Sequence, residues 1–362
     1  MNSAQGTFLP EDVTILLKNI TGAMRPIPTE ERERLIQSGV HYSEMLPLEY
    51  KPTDEYMDEY ERALLDFSEK TAQAVAAAGD RIYRKKGKSV VLVSLARSGT
   101  PVGVLLKRYI RSRYAVNAAH YTVSIIRGRG IDGNAMKAIL ARHPAESLQF
   151  VDGWIGKGAI AGELAKSLSD AAFANVENSL AVLSDPAGVT SMCGTREDFL
   201  VPCSCLNSTV CGLMSRTVLN ENVIGPDDFH GVVYYGDLAG QDRTYQFIHA
   251  VESRFGSSAA DISENEPPAA EGLEEVRKIA EDFGVTDINL LKPGIGETTR
   301  VLLRRMPGVI LMKKDADPKA VSHILRLAKD KNASVEEYPL KRYAACGLIK
   351  NIKNAKEIAA DV

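Results

Sequence analysis

The sequence predicts an α/β protein, with a mostly parallel sheet flanked by helices and then a small C-terminal α-β-α sandwich. Two observations carry this. Short β-branched apolar runs, such as Ser89–Val93 and Leu180–Ser184, alternate with longer segments whose apolar residues recur every three or four positions. That alternation is the signature of strand–helix–strand units, whose strands lie parallel. The pattern then breaks at a polar, acidic stretch containing a proline pair and resumes as a second, shorter set.

The chain has 362 residues, enough for two cores, and its 44% hydrophobic and 25% charged content is that of a soluble globular protein. No apolar run approaches the roughly 18–20 residues that span a bilayer. Met1-Asn-Ser-Ala-Gln-Gly6 lacks the basic and apolar regions of a signal peptide. A cytoplasmic location without a membrane partner is expected. Five cysteines, an odd number lying mostly in apolar segments, fit a reducing compartment. The net charge is −3, yet residues 273–362 hold 17 Lys+Arg against 13 Asp+Glu, a surplus of four. The two parts are therefore expected to meet different partners.

Residues 1–54 mix proline, glycine, charge and short apolar pieces, and are expected to lie on the core as an N-terminal extension. From Tyr56 to Tyr83, Leu64, Phe67, Ala72, Val75 and Ile82 fall at helical spacing and predict a long amphipathic helix. Ser89–Val93 follows as a buried strand. A small-residue turn with Arg97, Ser98, Gly99 and Thr100 then opens an apolar helix with Pro101 at its start. Such a turn lets backbone approach a diphosphate, which Arg97 would neutralise. The alternating strand His120–Ile126 leads into a cationic turn carrying Arg127, Arg129 and Asp132, read as a phosphate or substrate clamp. His120 is read as a packed strand residue.

Leu148–Val151 is a short strand with Asp152 and Gly153 at its carboxyl end. The loop Gly156-Lys157-Gly158-Ala159 then enters a helix marked by Ile160, Leu164 and Leu168. Backbone N–H groups at such a helix start suit a phosphate, and the carboxylate suits the hydroxyls of an attached sugar. In open α/β sheets such ligands bind beyond the carboxyl ends of the strands. Strand Leu180–Ser184 ends at Asp185, and a stretch dense in small polar groups follows, with Asn207, Ser208, Ser215 and Arg216 as candidate pocket residues. Strand Gly231–Tyr235 and a helix over 244–255 complete a first domain, 55–255. Residues 256–272 read as a linker and 273–362 as the second domain. There, helices over 273–283, 298–305 and 318–330 alternate with strands over 288–291, 309–312 and 334–336, and a closing helix falls near 340–350.

The two turns, with Asp152 and Gly156–Ala159 in one and Arg97-Ser98-Gly99 in the other, resemble the phosphoribosyl-diphosphate (PRPP) loops of the type I phosphoribosyltransferases. Gly153 stands where that family has a second acidic residue, Gly156 where many members have a catalytic Asp, and Lys157 where a Thr is usual. The resemblance implies that Asp152 holds the ribose hydroxyls and that the Gly156–Ala159 amides with Lys157 hold the 5′-phosphate. Arg97, Ser98, Gly99 and Thr100 would hold the diphosphate, Mg²⁺ would bridge its oxygens, and Asp132 or Asp185 would activate the nucleophile. Residues 273–350 resemble the Pelota RNA-binding domain. This implies RNA contact through Lys292, Gly294, Gly296, Glu297 and Thr298 and the following Arg300 and Arg304.

A phosphoribosyltransferase-like domain joined to a Pelota-type domain resembles a bacterial family of tellurite-resistance (Ter) stress operons, whose members also carry the label StiP-type cysteine protease. Three functions follow from the resemblance. The first is a PRPP-dependent pentosyltransferase with an RNA-binding module, working in a stress-response nucleoside pathway. The second is a non-catalytic PRPP or nucleotide sensor acting on RNA. The third is a cysteine protease using Cys203, Cys205 or Cys211 with His230 or His249 as base. The expected partners are phosphorylated ribose, RNA and a second copy of the chain.

Overall fold

A computed structural model describes residues 6–257 and 269–351. Strands β1 (Thr14–Ile15), β2 (Val91–Ala96), β3 (Ala119–Ile126), β4 (Leu148–Val151), β5 (Leu180–Ser184) and β6 (Cys193–Thr195) form one sheet in the order β1-β3-β2-β4-β5-β6, every pair parallel. A short return strand, Gly130–Ile131, lies antiparallel on β3. The central strands are buried on both faces, which is why they read as continuous rather than alternating apolar runs.

One face packs under α2 (Asp54–Lys86), α3 (Gly99–Tyr114) and α6 (Thr244–Glu252), and the other under α4 (Gly133–Leu140) and α5 (Ala159–Leu168). The Thr53 hydroxyl caps α2 by accepting from the Tyr56 amide at 3.2 Å, and Arg84, Lys85 and Lys86 oppose the dipole at its far end. The N-terminal extension is woven into this domain. β1 pairs with the outer edge of β3, and Phe8, Val13, Ile15 and Leu17 are buried in the shared core. The extension also carries α1 (Thr29–Gln37).

The chain passes from β2 to its neighbour β3 on one side, then returns to the other side as β4. At this reversal the carboxyl ends of β2 and β4 part, leaving a crevice where open α/β sheets take their ligands. A Cβ on Gly99 would lie 2.4 Å from the Val151 carbonyl oxygen, so only glycine lets the turn after β2 press against the end of β4.

The second unit contains α7 (Glu271–Asp282), β7 (Leu291–Pro293), α8 (Ile295–Arg304), β8 (Pro307–Met312), α9 (Pro318–Asp330), β9 (Ser334–Glu337) and β10 (Ala345–Ile349). Its mixed sheet runs β7-β10-β8-β9, with α7 packed on one face and α8 and α9 on the other. The expected closing helix is instead β10, the central strand of this sheet. Ala345–Ile349 is fully buried, and a short apolar run of this kind carries no period that separates helix from strand. Most of the expected 256–272 linker lies outside the described residues.

Apolar side chains of α8 and α9, including Leu302, Leu303, Ile324 and Leu327, belong to the same continuous core as those of α2 and α3. At the rim of this contact Lys319 meets Asp66 at 3.0 Å and Arg326 meets Glu55 at 2.7 Å. Phe150, at the middle of the main sheet, is fully buried. Phe150→Ala is expected to lower unfolding free energy by about 3–5 kcal/mol in denaturant titration. A loss below about 1 kcal/mol would show that the β4 packing is wrong.

Candidate functional site

The C-terminal unit covers the crevice at the carboxyl ends of β2 and β4, closing a cavity of about 290 Å³. Three parts of the chain contribute to its wall. The first domain supplies the turns after β2 and β4 together with Arg127, Arg216 and Thr217; the extension supplies Arg32, Ile36 and Tyr42; and the C-terminal unit supplies Lys292, Glu297, Arg300, Arg304 and Arg305. Nine cationic side chains face two carboxylates, Asp152 and Glu297, in this lining, a local excess of seven positive charges.

The turns singled out in the sequence do meet. The Ser98 hydroxyl donates to the Asp152 carboxylate at 2.6 Å, and the Gly153 amide donates to the same oxygen at 2.7 Å. Burial raises the Asp152 pKa, against the charge of Arg300 and these two hydrogen bonds. Thr100 is turned away into the core, where its hydroxyl bonds that of Thr122 at 2.7 Å. Arg97 donates to the Met214 carbonyl at 2.9 Å and lies 3.7 Å from Glu49.

The loop Gly156–Ala159 is engaged by the C-terminal unit. The Gly156 carbonyl accepts the Tyr343 hydroxyl at 2.6 Å, and Lys157 donates to the carbonyls of Ile288 and Leu291. Burial, reinforced by neighbouring Lys292, lowers the Lys157 pKa to about 7. Gly158 has φ of +77° and precedes Ala159, the first residue of α5.

The residues expected to meet RNA face inward. A Cβ on Gly296 would lie 2.4 Å from the Trp154 ring, so α8 rests directly on the first domain. The Arg300 guanidinium stacks 4.5 Å from the centre of that ring and pairs with Glu297 at 2.6 Å. Burial pushes the Glu297 carboxyl up, but Arg300 and Lys292 more than offset it and hold it at about 2. Thr298 is fully buried and donates to the Lys292 carbonyl. Arg304 donates to Asn207, and Arg305 forms a two-pronged pair with Glu33 at 2.6 and 2.7 Å. Gly294, with φ of +93°, packs against Asp198.

Asp198 is the principal polar tie, and sequence reading missed it. Its carboxylate accepts the amide of Ile295, the first residue of α8, and that of Ala344 at 2.8 Å. Burial pushes its pKa up to about 7 against these amides. A lone Asp in a coil, between Glu197 and Phe199, carries no signal of this role. Trp154, the single tryptophan, was not singled out either, although its place inside a glycine-rich loop could have drawn notice.

The other candidates are dispersed. Arg127 lines the cavity and donates to Asn289 at 2.7 Å, whereas Arg129 pairs with Glu44 on the surface. Asp132 caps α4 and accepts the His230 amide at 2.6 Å. Asp185 is buried, accepting the amides of Val189 and Thr190 and pairing with Arg196. The His230 ring bonds Ser124 at 2.8 Å, and His249 is exposed beside Tyr245. All five cysteines are buried free thiols. His120 is packed between Ser94 and the Asp12 carbonyl. Among the described residues no group of three or more His, Cys, Asp or Glu is placed to hold a metal ion, and no helix is long and apolar enough to cross a membrane.

The fold and the cavity define a two-part α/β protein whose site is assembled from both parts. Residues 6–252 match the family model described as tellurite-like stress resistance cysteine protease StiP, and residues 270–351 match the PELOTA RNA binding domain. A protein of Acinetobacter baylyi named cysteine protease StiP is 36% identical over 342 residues, spanning 90% of this chain and 88% of its own. The chain belongs to the StiP family.

These matches overturn the expectation of a PRPP-dependent pentosyltransferase, since the family model and the relative both carry a protease name. In the site, one oxygen of the Asp152 carboxylate accepts from Ser98 and Gly153, and the loop Gly156–Ala159 carries the Tyr343 and Lys157 bonds.

The shift of Glu297 gives a pH prediction. A carboxyl depressed in the folded state stabilises it above the unfolded pKa, near 4.5, and that contribution is lost as pH falls toward 2. Glu297→Gln is therefore expected to lower the melting temperature at pH 7, with the difference from wild type shrinking between pH 4.5 and 2. A constant difference across that range would show that the Arg300 pair does not hold the carboxylate.

Proposed function

We propose that the chain is a thiol-dependent peptidase in which Cys211 is the nucleophile. The family membership supports the reaction class, and one electrostatic observation selects the residue. Of Cys203, Cys205 and Cys211, only Cys211 has burial opposed by three guanidiniums, Arg97, Arg304 and Arg300. Cys205 has only the charge of Glu59, which adds to its upward shift. The thiolate is the reactive form, and nearby cations favour it.

In the arrangement described, burial prevails and the Cys211 thiol stays protonated. The adjoining Gly212 is covered by the N-terminal arm. The Thr7 amide donates to its carbonyl at 3.1 Å, and the Phe8 ring lies 2.5 Å from where a Cβ on Gly212 would stand. Lifting that arm would admit water, relieve the burial penalty and let the guanidiniums draw Sγ toward ionisation. The thiolate then adds to the peptide carbonyl carbon, and the negative oxygen that forms is stabilised by the same charges. The Sγ proton passes to the admitted water, a water molecule returns a proton to the departing amine, and a second water adds to the thioester carbonyl, releasing the carboxylic acid and restoring the thiol. Charge, rather than a paired imidazole, is the activator in this reading.

Cys211→Ser is expected to reduce peptide hydrolysis at least 1000-fold while Cys205→Ser retains it, measured on an unfolded protein substrate with folding checked by circular dichroism. Wild-type turnover by the Cys211 variant would eliminate this nucleophile.

A second reading, RNA contact by residues 270–351, is supported by the PELOTA match. The inward turn of Gly296, Glu297 and Arg300 implies that this face must separate from the first domain before it meets RNA. Asp198→Ala strands the amides of Ile295 and Ala344, at a cost of about 1–3 kcal/mol each if they stay buried. It is expected to loosen the docking and strengthen RNA binding by the full chain in a filter assay. Unchanged or weaker binding would remove the α8 face as the RNA surface. We also infer that residues 55–255 keep a phosphoribosyltransferase-like fold without that family's reaction, supported by the strand reversal and the two adjoining turns.

A further inference from the structure

We propose that the cavity is a binding site for a small oligophosphate anion, gripped by Arg32, Arg216 and Arg304 with support from Arg97 and Lys292. This site shares Arg97 and Arg304 with the charges that act on Cys211, but its argument and its test do not rest on the peptidase reading. Most cations of the lining are already matched: Arg300 by Glu297, Arg305 by Glu33, and Lys157 by two carbonyls. Arg32, Arg216 and Arg304 are not, and among the described residues none of them forms an ion pair. Arg216 rests on the Tyr42 ring at 4.2 Å and, among the described residues, its guanidinium meets no hydrogen-bond acceptor. Arg304 has only the Asn207 side-chain oxygen. Arg32 is 1% exposed, donates to the Arg304 carbonyl, and its Nε has no partner at all.

Three guanidiniums held close together, Arg32 buried and Arg216 and Arg304 half-buried, none of them in an ion pair, are costly. Their pKa values record that cost. Burial and neighbouring cations bring Arg32 down to about 10 and Arg216 to about 9, and they lower Arg304 strongly. An anion would reverse the penalty, and the volume selects its chemistry. About 290 Å³ lies at the small end of ligand sites. Matching the three guanidiniums that form no ion pair takes about three negative charges on a few atoms. A phosphate chain carries that density, and guanidiniums grip its oxygens in pairs. A peptide with as many carboxylates, or a strand of RNA, needs more room. The three arginines come from the extension, the first domain and α8, so the anion would also cross-link the closed form.

Inorganic tripolyphosphate is the probe, titrated by calorimetry into the full chain at physiological salt, with citrate as a tricarboxylate control. Saturable binding, with Kd raised at least tenfold by Arg216→Gln and by Arg304→Gln but unchanged by the surface variant Arg129→Gln, is the expected result. Arg216→Gln removes no hydrogen bond, so it should fold, and its melting temperature without ligand should match or exceed that of wild type. Absence of saturable binding, equal affinity for citrate, or a Kd insensitive to Arg216→Gln would each overturn the site. Because peptide hydrolysis is not the readout, failure of the peptidase reading leaves this test unaffected.

Discussion

The closed arrangement depends on a carboxylate of one domain receiving backbone amides of the other. Asp198 sits at the N-terminus of α8 and also takes the amide of Ala344, just ahead of β10, so it fixes the helix and the central strand of the C-terminal sheet together. An unpaired helix start would otherwise present bare N–H groups to a buried surface. With this anchor set, Gly296 meets Trp154, Arg300 stacks on the same ring, and Tyr343 reaches the Gly156 carbonyl. Apolar packing supplies most of the attraction between the parts, but it is non-directional. The Asp198 contacts give the docking its register.

That docking brings like charges together. Closing α8 over the crevice carries Arg300, Arg304 and Arg305 toward Arg32, Arg97 and Arg216, and two carboxylates do not balance them. Stacking on Trp154 and Tyr42 relieves part of the repulsion, because aromatic faces accept cations where carboxylates are missing. The same charges reach Cys211, so thiol chemistry and anion recognition share one electrostatic source.

Much of the scaffold was legible in the sequence, because buried parallel strands announce themselves as short apolar runs. The turns after β2 and β4 could be paired before any coordinates through their resemblance to two loops of one family; the strand reversal that brings them together is visible only in the fold. β10 was not legible: five apolar residues fit either a helix or a strand. The inward face of α8 was missed for another reason. Glu297, Arg300 and Arg304 form the polar side of an amphipathic helix, and such a side reads as solvent- or RNA-facing whether or not a second domain covers it. Arg32 and Glu33 failed similarly. Within Glu30-Glu-Arg-Glu-Arg34 they look like any solvated charge run, yet both are buried. The protease name of the family, finally, had no Cys–His spacing to announce it.

The apolar core runs without a break from α3 through α2 into α9 and α8. The boundary that composition draws near residue 260 is therefore not a thermodynamic one. Severing the chain there would leave each half with a raw greasy flank, and neither half would be expected to stay in solution alone. Heat should melt the whole molecule in one step, and the two sequence families it joins now behave as a single folding unit.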